Sequence, residues 1–213
     1  MKRRSVVVSA LVVTTSGCTS LFGWNDEGST PPAADDPEQR EDDPQQEEST
    51  IDADEVDTAT VLPNITDLPD AYEQGSDAEQ NRSELEGDLQ EEFDRQDLEV
   101  RHERSFVYEG EPDGGPAILS AAVLIYETNS AAERGVGEIA DDEEFDLSSE
   151  VAEIASGFEV REITFENDRG EQVIILLYQG GNIVLYTAAL AVNGGQIQQE
   201  ILTDMISKIA MRS

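Results

Sequence analysis

Between Thr19 and about Asn64 the chain carries too few apolar residues to bury a core, and this confines any fold to the residues beyond. Pro31, Pro32, Pro37, Pro44 and Pro63 punctuate the stretch. Asp35-Asp36, Glu41-Asp42-Asp43, Glu47-Glu48 and the acids from Asp52 to Asp57 are opposed there only by Arg40. Such a segment cannot offset its own ordering entropy, so residues 18–64 are expected to form a disordered acidic tether. As a flexible coil its ends would lie roughly 35–40 Å apart. Apolar patterning resumes near Val61, which leaves 65–213 as a single globular domain large enough for a real core.

Upstream of the tether stands a leader, residues 1–17. Lys2, Arg3 and Arg4 form a basic head, Ser5 to Thr15 is uncharged and mostly apolar, and Ser16-Gly17 leads into Cys18, the sole cysteine. That order of charge, apolar run and small residues is an export signal. The run spans about 16 Å as a helix, well short of the roughly 30 Å bilayer core. Arg3-Arg4 before Ser5, Val6 and Val7 resembles the twin-arginine export signal, with an ordinary basic head of the general secretion route as the alternative. Thr15-Ser16-Gly17-Cys18 resembles the lipobox of prokaryotic lipoproteins, with Thr15 where a Leu is usual. The resemblance implies cleavage before Cys18 and lipid on its thiol, and two lipid chains suffice for stable anchoring. Leu21, Phe22 and Trp24 fit either an interfacial anchor or ordinary linker.

Charge narrows the habitat. The 213 residues include 48 acids against 13 bases, a net charge of −35, and the lysines are Lys2 and Lys208 alone. In dilute buffer that self-repulsion opposes compaction, whereas at about 1 M salt the screening length falls to roughly 3 Å. Nucleic-acid binding is excluded for want of a basic footprint. A lone cysteine excludes an intrachain disulfide.

Within 65–213, Ser83 and Glu86 resemble a capping box ahead of Leu85, Leu89 and Phe93, which predicts a helix over 84–94. Arg104 to Glu109 reads as an edge-like strand. Ile118 to Tyr126, almost wholly apolar, suits a strand buried on both faces. Ser130 and Glu133 cap a predicted helix carrying Ala132, Val136, Ile139 and Ala140. Phe158 and Val160 share one strand phase and Ile163 and Phe165 the other, so either a bulge lies near Arg161-Glu162 or the strand starts after it. Val173 to Tyr178 and Ile183 to Val192 are joined by Gly180-Gly181, a hairpin signal. Ile197, Ile201, Leu202, Met205, Ile206 and Ile209 give the chain's strongest helical stripe, with Asp204 four residues before Lys208. The fold class expected is α+β: a mostly antiparallel sheet of about five strands packed with three helices. Strands apolar on both faces need helices on both, or a groove stays open.

Sequence offers little catalytic chemistry. Triad catalysis needs a histidine beside its nucleophile, and His102, the only one, reads as an exposed bystander between Arg101 and Glu103. No histidine or cysteine cluster suits zinc, and the acidic runs, Asp52-Ala53-Asp54 and Asp141-Asp142-Glu143-Glu144 among them, lack calcium-loop spacing. No cofactor or metal is expected. Gly135-Val136-Gly137-Glu138-Ile139-Ala140 matches spaced dinucleotide-loop glycines but falls inside a helix. Asn64-Ile65-Thr66 and Asn81-Arg82-Ser83 are glycosylation sequons, Asn81 being the better placed.

Together, Arg3-Arg4, Thr15 to Cys18 and the pervasive acidity resemble haloarchaeal surface lipoproteins. The domain layout is loosely similar to extracytoplasmic modules of the PsbP and LpqN kind, an analogy of fold only. The expectation is a non-enzymatic binding or interaction domain on the outer face of the cell membrane, joined to membrane lipid through Cys18, with an envelope protein or small ligand as partner. An extracytoplasmic hydrolase using two carboxylates and a passive envelope or stalk component are the alternatives.

Overall fold

The computed structural model describes residues 50–109, 116–140, 148–154, 157–167, 170–190 and 195–211. Arg3, Arg4, Cys18, Leu21, Phe22, Trp24 and the acidic run at 141–146 lie outside them. Among the described residues seven strands form one antiparallel sheet in the order β1-β2-β3-β7-β6-β5-β4. They are β1 (Tyr72–Asn81), β2 (Leu98–Tyr108), β3 (Ile118–Tyr126), β4 (Ser148–Glu153), β5 (Glu159–Glu166), β6 (Gln172–Gly180) and β7 (Ile183–Leu190). The helices are α1 (Thr58–Val61), α2 (Asp88–Gln96), α3 (Asn129–Ala140) and α4 (Gly195–Ala210). The α+β class stands, with more strands and one more short helix than the patterning predicts.

The two unexpected strands are edges. β1 reads Tyr-Glu-Gln-Gly-Ser-Asp-Ala-Glu-Gln-Asn and buries only Tyr72, so it has no apolar alternation to detect. β4 leaves Val151 exposed. β2 is longer than expected because polar side chains, His102 and Arg104, occupy inward positions alternating with Val100 and Phe106. β5 needs no bulge. It pairs regularly with β4 and β6, and its two apolar phases are both real, since Val160 belongs to the core on one face and Ile163 to the core on the other.

Both faces are indeed packed. On the first, Ile201, Leu202, Met205, Ile206 and Ile209 of α4 join Leu119, Val123, Ile125, Leu176, Ile183 and Leu185. Fully burying one such side chain stabilises by about 1.5–3 kcal/mol. The predicted Lys208–Asp204 pair forms at 2.6 Å on the outer side of α4. Beside α4 lies residue stretch 51–68, called the strap, which carries α1 and two 3-10 turns, Ala53–Glu55 and Ile65–Asp67. Val61 and Leu62 within it are completely buried. Residues 51–64, assigned to the tether by composition, are therefore part of the packed body. Their apolar residues are too sparse to register as a pattern, but they dock on a sheet that other segments build.

On the second face, α2 and α3 bring Phe93, Ala131, Ala132, Val136 and Ala140 against Leu98, Leu124, Tyr126, Leu177 and Val184. The caps differ from expectation. α2 starts after Gly87, at φ 66°, because Asn81 draws Ser83 into a separate 3-10 turn. Thr128, whose hydroxyl accepts from Ala131 N at 3.1 Å, opens α3 in place of Ser130. Gly135 is present because α3 lies directly on the Tyr126 ring, where a β-carbon would collide with the phenol. Helix–strand packing thus accounts for Gly135, whereas Gly137 has open space where a β-carbon would stand.

Candidate functional site

Strand register lays out the second face in rows. Val107, Ile118, Leu190, Val173 and Phe165 form one apolar row across five strands. The next is Ser105, Ser120, Ala188, Ile175 and Ile163, and the third is Glu103, Ala122, Tyr186, Leu177 and Arg161. α2 and α3 cover the far end of this face, at Leu124, Tyr126 and Val184. Among the described residues no element covers the near end: Val107 is 43 % and Ile118 42 % exposed, and Ser105, Ser120, Ala188, Leu190, Val173 and Tyr186 are half-buried. The demand for cover made by doubly apolar strands is thus met on one face and only half met on the other.

Glu103 stands at the border between covered and open halves. Ala122, the small residue between them in the row, lets the Glu103 carboxylate meet the Tyr186 hydroxyl, and Ser120 donates a second hydrogen bond. Burial pushes the Glu103 carboxyl above its ordinary range, against the opposing field of Arg101 and the two hydroxyl donors. Among the described residues no ion pair is formed by Glu103, while Arg101 turns to Glu92 at 4.0 Å. A carboxylate taken largely out of water without a contact ion pair is costly, and perturbed groups of this kind collect at functional sites. Among the described residues no other carboxylate contributes to its surroundings, so they assemble around it no pair of acids of the kind that glycoside hydrolysis requires.

His102 is the clearest correction. It is 4 % exposed, facing the strap from β2. Its Nδ1 lies 2.8 Å from Thr58 Oγ1 and its Nε2 2.8 Å from Asp77 Oδ1. Arg104 reaches the other Asp77 oxygen, Nε at 3.0 Å and the NH2 nitrogen at 2.9 Å, and donates to Pro63 O at 2.9 Å. Burial alone would raise the Asp77 carboxyl, but the hydrogen bonds from Arg104 and His102 outweigh it and hold the group below its ordinary value. Hydroxyl, imidazole and carboxylate follow one another as in a triad, yet Thr58, the first residue of α1, is itself buried. A nucleophile must meet its substrate, so this chain of bonds fastens the strap instead.

Asn182 is a third fastener, 1 % exposed in the β6–β7 turn. Its amide donates to Ile51 O at 2.9 Å and Tyr126 O at 2.7 Å, and its Oδ1 accepts from Ile51 N at 2.9 Å. Sequence reasoning missed all three fasteners, because each lies on a strand whose inward phase looked polar or whose turn looked exposed.

A cleft of about 320 Å³ separates Pro63, Asp67 and Pro69 from Ile197, Glu200, Ile201 and Asp204 of α4. Its acids are engaged: Asp67 accepts from Asn64 N at 2.8 Å, Glu200 from Gln196 at 2.9 Å, and Asp204 pairs with Lys208. Of the sequons, Asn64 is exposed, whereas Asn81 is half-buried and accepts from Ser83 N at 3.1 Å and Ser83 Oγ at 2.7 Å. Asn64 is therefore the more accessible of the two. Among the described residues no three His, Cys, Asp or Glu side chains converge as metal ligands, and no helix is long and apolar enough to cross a membrane.

The fold is similar to that of the extracellular domain of PknH from Mycobacterium tuberculosis, with a TM-score of 0.52 and 9% identity over 77% of this chain and 99% of that one. At that identity the likeness is one of fold alone. No protein-family profile matches the chain, and comparison with curated proteins gives no match.

Proposed function

We propose that this chain is a non-enzymatic binding domain, exported and held at the outer face of a halophile's cell membrane by lipid on Cys18, which takes a small organic molecule on the open half of its sheet. The observation that carries the reading is the unequal cover of the two faces. One is sealed by the strap and α4. Among the described residues the other is roofed only at one end, by α2 and α3, with Val107 and Ile118 exposed at the end where Glu103 is held by hydroxyls. An apolar floor with a few convergent polar groups is the usual make-up of a ligand site. The likeness of fold to an extracellular domain supports the extracytoplasmic setting, as do the Arg3-Arg4 and Thr15 to Cys18 signals.

Chemical-shift mapping in molar KCl tests this. A panel of small alcohols, carboxylates, amines and aromatics is titrated into the Cys18→Ser chain. Perturbations should gather at residues 103, 107, 118, 120, 186, 188 and 190. Perturbations gathering at the Pro63–Asp204 cleft, or scattered without preference, would contradict the proposal.

A further inference from the structure

Resting on that reading, we infer that the ligand is a small organic cation, an alkylammonium or guanidinium group on an apolar stem, whose charge is seated on Glu103.

Three observations converge. First, the Glu103 carboxylate receives hydrogen bonds from the hydroxyls of Tyr186 and Ser120. A carboxylate offers about four acceptor positions, so those two donors leave capacity for an ammonium or guanidinium N–H. Second, no ion pair to Glu103 forms among the described residues: the field of Arg101 reaches its carboxylate, but that guanidinium stands 4.0 Å from Glu92. A cationic ligand supplies the contact pair that Arg101 does not make. Third, the stem has somewhere to lie. From Glu103 the open face runs past Ser105 and Ser120 to the row of Val107, Ile118 and Leu190, and Val107 and Ile118 offer exposed aliphatic surface there.

Brine sharpens the requirement. Screening at about 1 M salt acts over roughly 3 Å and weakens exposed ion pairs most. A contact pair at a largely buried carboxylate, with an apolar stem to add burial, is the form of cation recognition that survives there. Diffuse attraction by a chain of net charge −35 is not.

The test uses n-butylammonium and its neutral counterpart n-butanol, titrated into the Cys18→Ser chain in molar KCl and followed by the signals of Glu103, Ser120 and Tyr186. Of the two probes, n-butylammonium should bind more tightly. Glu103→Gln, which keeps shape and can still accept from both hydroxyls, should weaken the cation about tenfold and leave n-butanol unchanged. Glu73→Gln, on an exposed position of β1, removes the same charge elsewhere and should change neither. Tyr186→Phe provides a second variant that keeps the ring. It should weaken the cation by a smaller factor, because the carboxylate loses one of its holders. Equal binding of the two probes, or equal loss in Glu103→Gln and Glu73→Gln, would overturn the inference. If other fragments still gathered on the open half in that event, the binding face itself would stand and only the cationic ligand would fall.

Discussion

Asn182 is the side chain on which the upstream end of the strap depends. Replacing it with Ala removes one buried and two part-buried hydrogen bonds, those to Tyr126 O and to both backbone groups of Ile51. Asn182→Ala should cost about 2–3 kcal/mol in denaturant unfolding at fixed KCl. Ala71 sits at φ 83° just before β1, a conformation in which a β-carbon costs roughly 1–2 kcal/mol. Ala71→Gly should therefore stabilise by about 0.5–1 kcal/mol, after the glycine's extra freedom in the unfolded chain is deducted. Asp77 has its carboxyl lowered, so its contribution is fully present above the ordinary value of 3.8 and is lost as pH falls through the lowered one. Acid titration of stability should show a shallower loss below that value in Asp77→Asn than in the native chain. Glu103 runs the opposite way. Its carboxyl is raised, so stability declines as pH climbs from the ordinary value of 4.5 through the raised one, and Glu103→Gln should abolish that decline and raise the melting temperature at neutral pH. A residue that costs stability in this way is what a binding role would leave behind.

Among the elements, α3 gives the sharpest prediction. Gly135→Ala drives a methyl group into the Tyr126 phenol and should destabilise by about 1–3 kcal/mol, the range for overpacking, whereas Gly137→Ala, with open space around it, should not. How legible each element was depends on how it is buried. α4 presents one apolar stripe to one face, and its span and its Asp204–Lys208 pair can be read directly from spacing. β3 and β7 are largely apolar on both faces because the strap and α4 cover one of them and α2 and α3 cover the far half of the other. β1 and β4 lie at the sheet edges, where burial imposes no period, and nothing in Glu73-Gln74-Gly75-Ser76 announces a strand. The strap was hidden by its own composition. Its attachment relies on His102, Arg104 and Asn182, polar side chains that belong to other segments and are far away in sequence. Glu103 was illegible for a simpler reason: it is one acid among 48. The available signal was its place on a strand paired with the doubly apolar Ile118–Tyr126 run, opposite the small residue Ala122.

For the molecule as a whole, salt and location are decisive. A net charge of −35 should make the unfolding midpoint fall steeply as KCl is diluted from molar concentrations toward about 0.1 M, where the screening length reaches roughly 10 Å. A midpoint independent of salt would remove the halophilic reading. The open half-face, the strap and the long acidic segment serve a displayed binding domain only if the mature chain is fastened outside the cell at Cys18. Fractionating cells that carry either the native chain or Cys18→Ser tests this most directly. The native chain should be found with the membrane and be open to protease added outside. The Cys18→Ser chain should leave the membrane fraction. Retention of Cys18→Ser in the membrane to the same extent, with its leader removed as usual, would contradict the account.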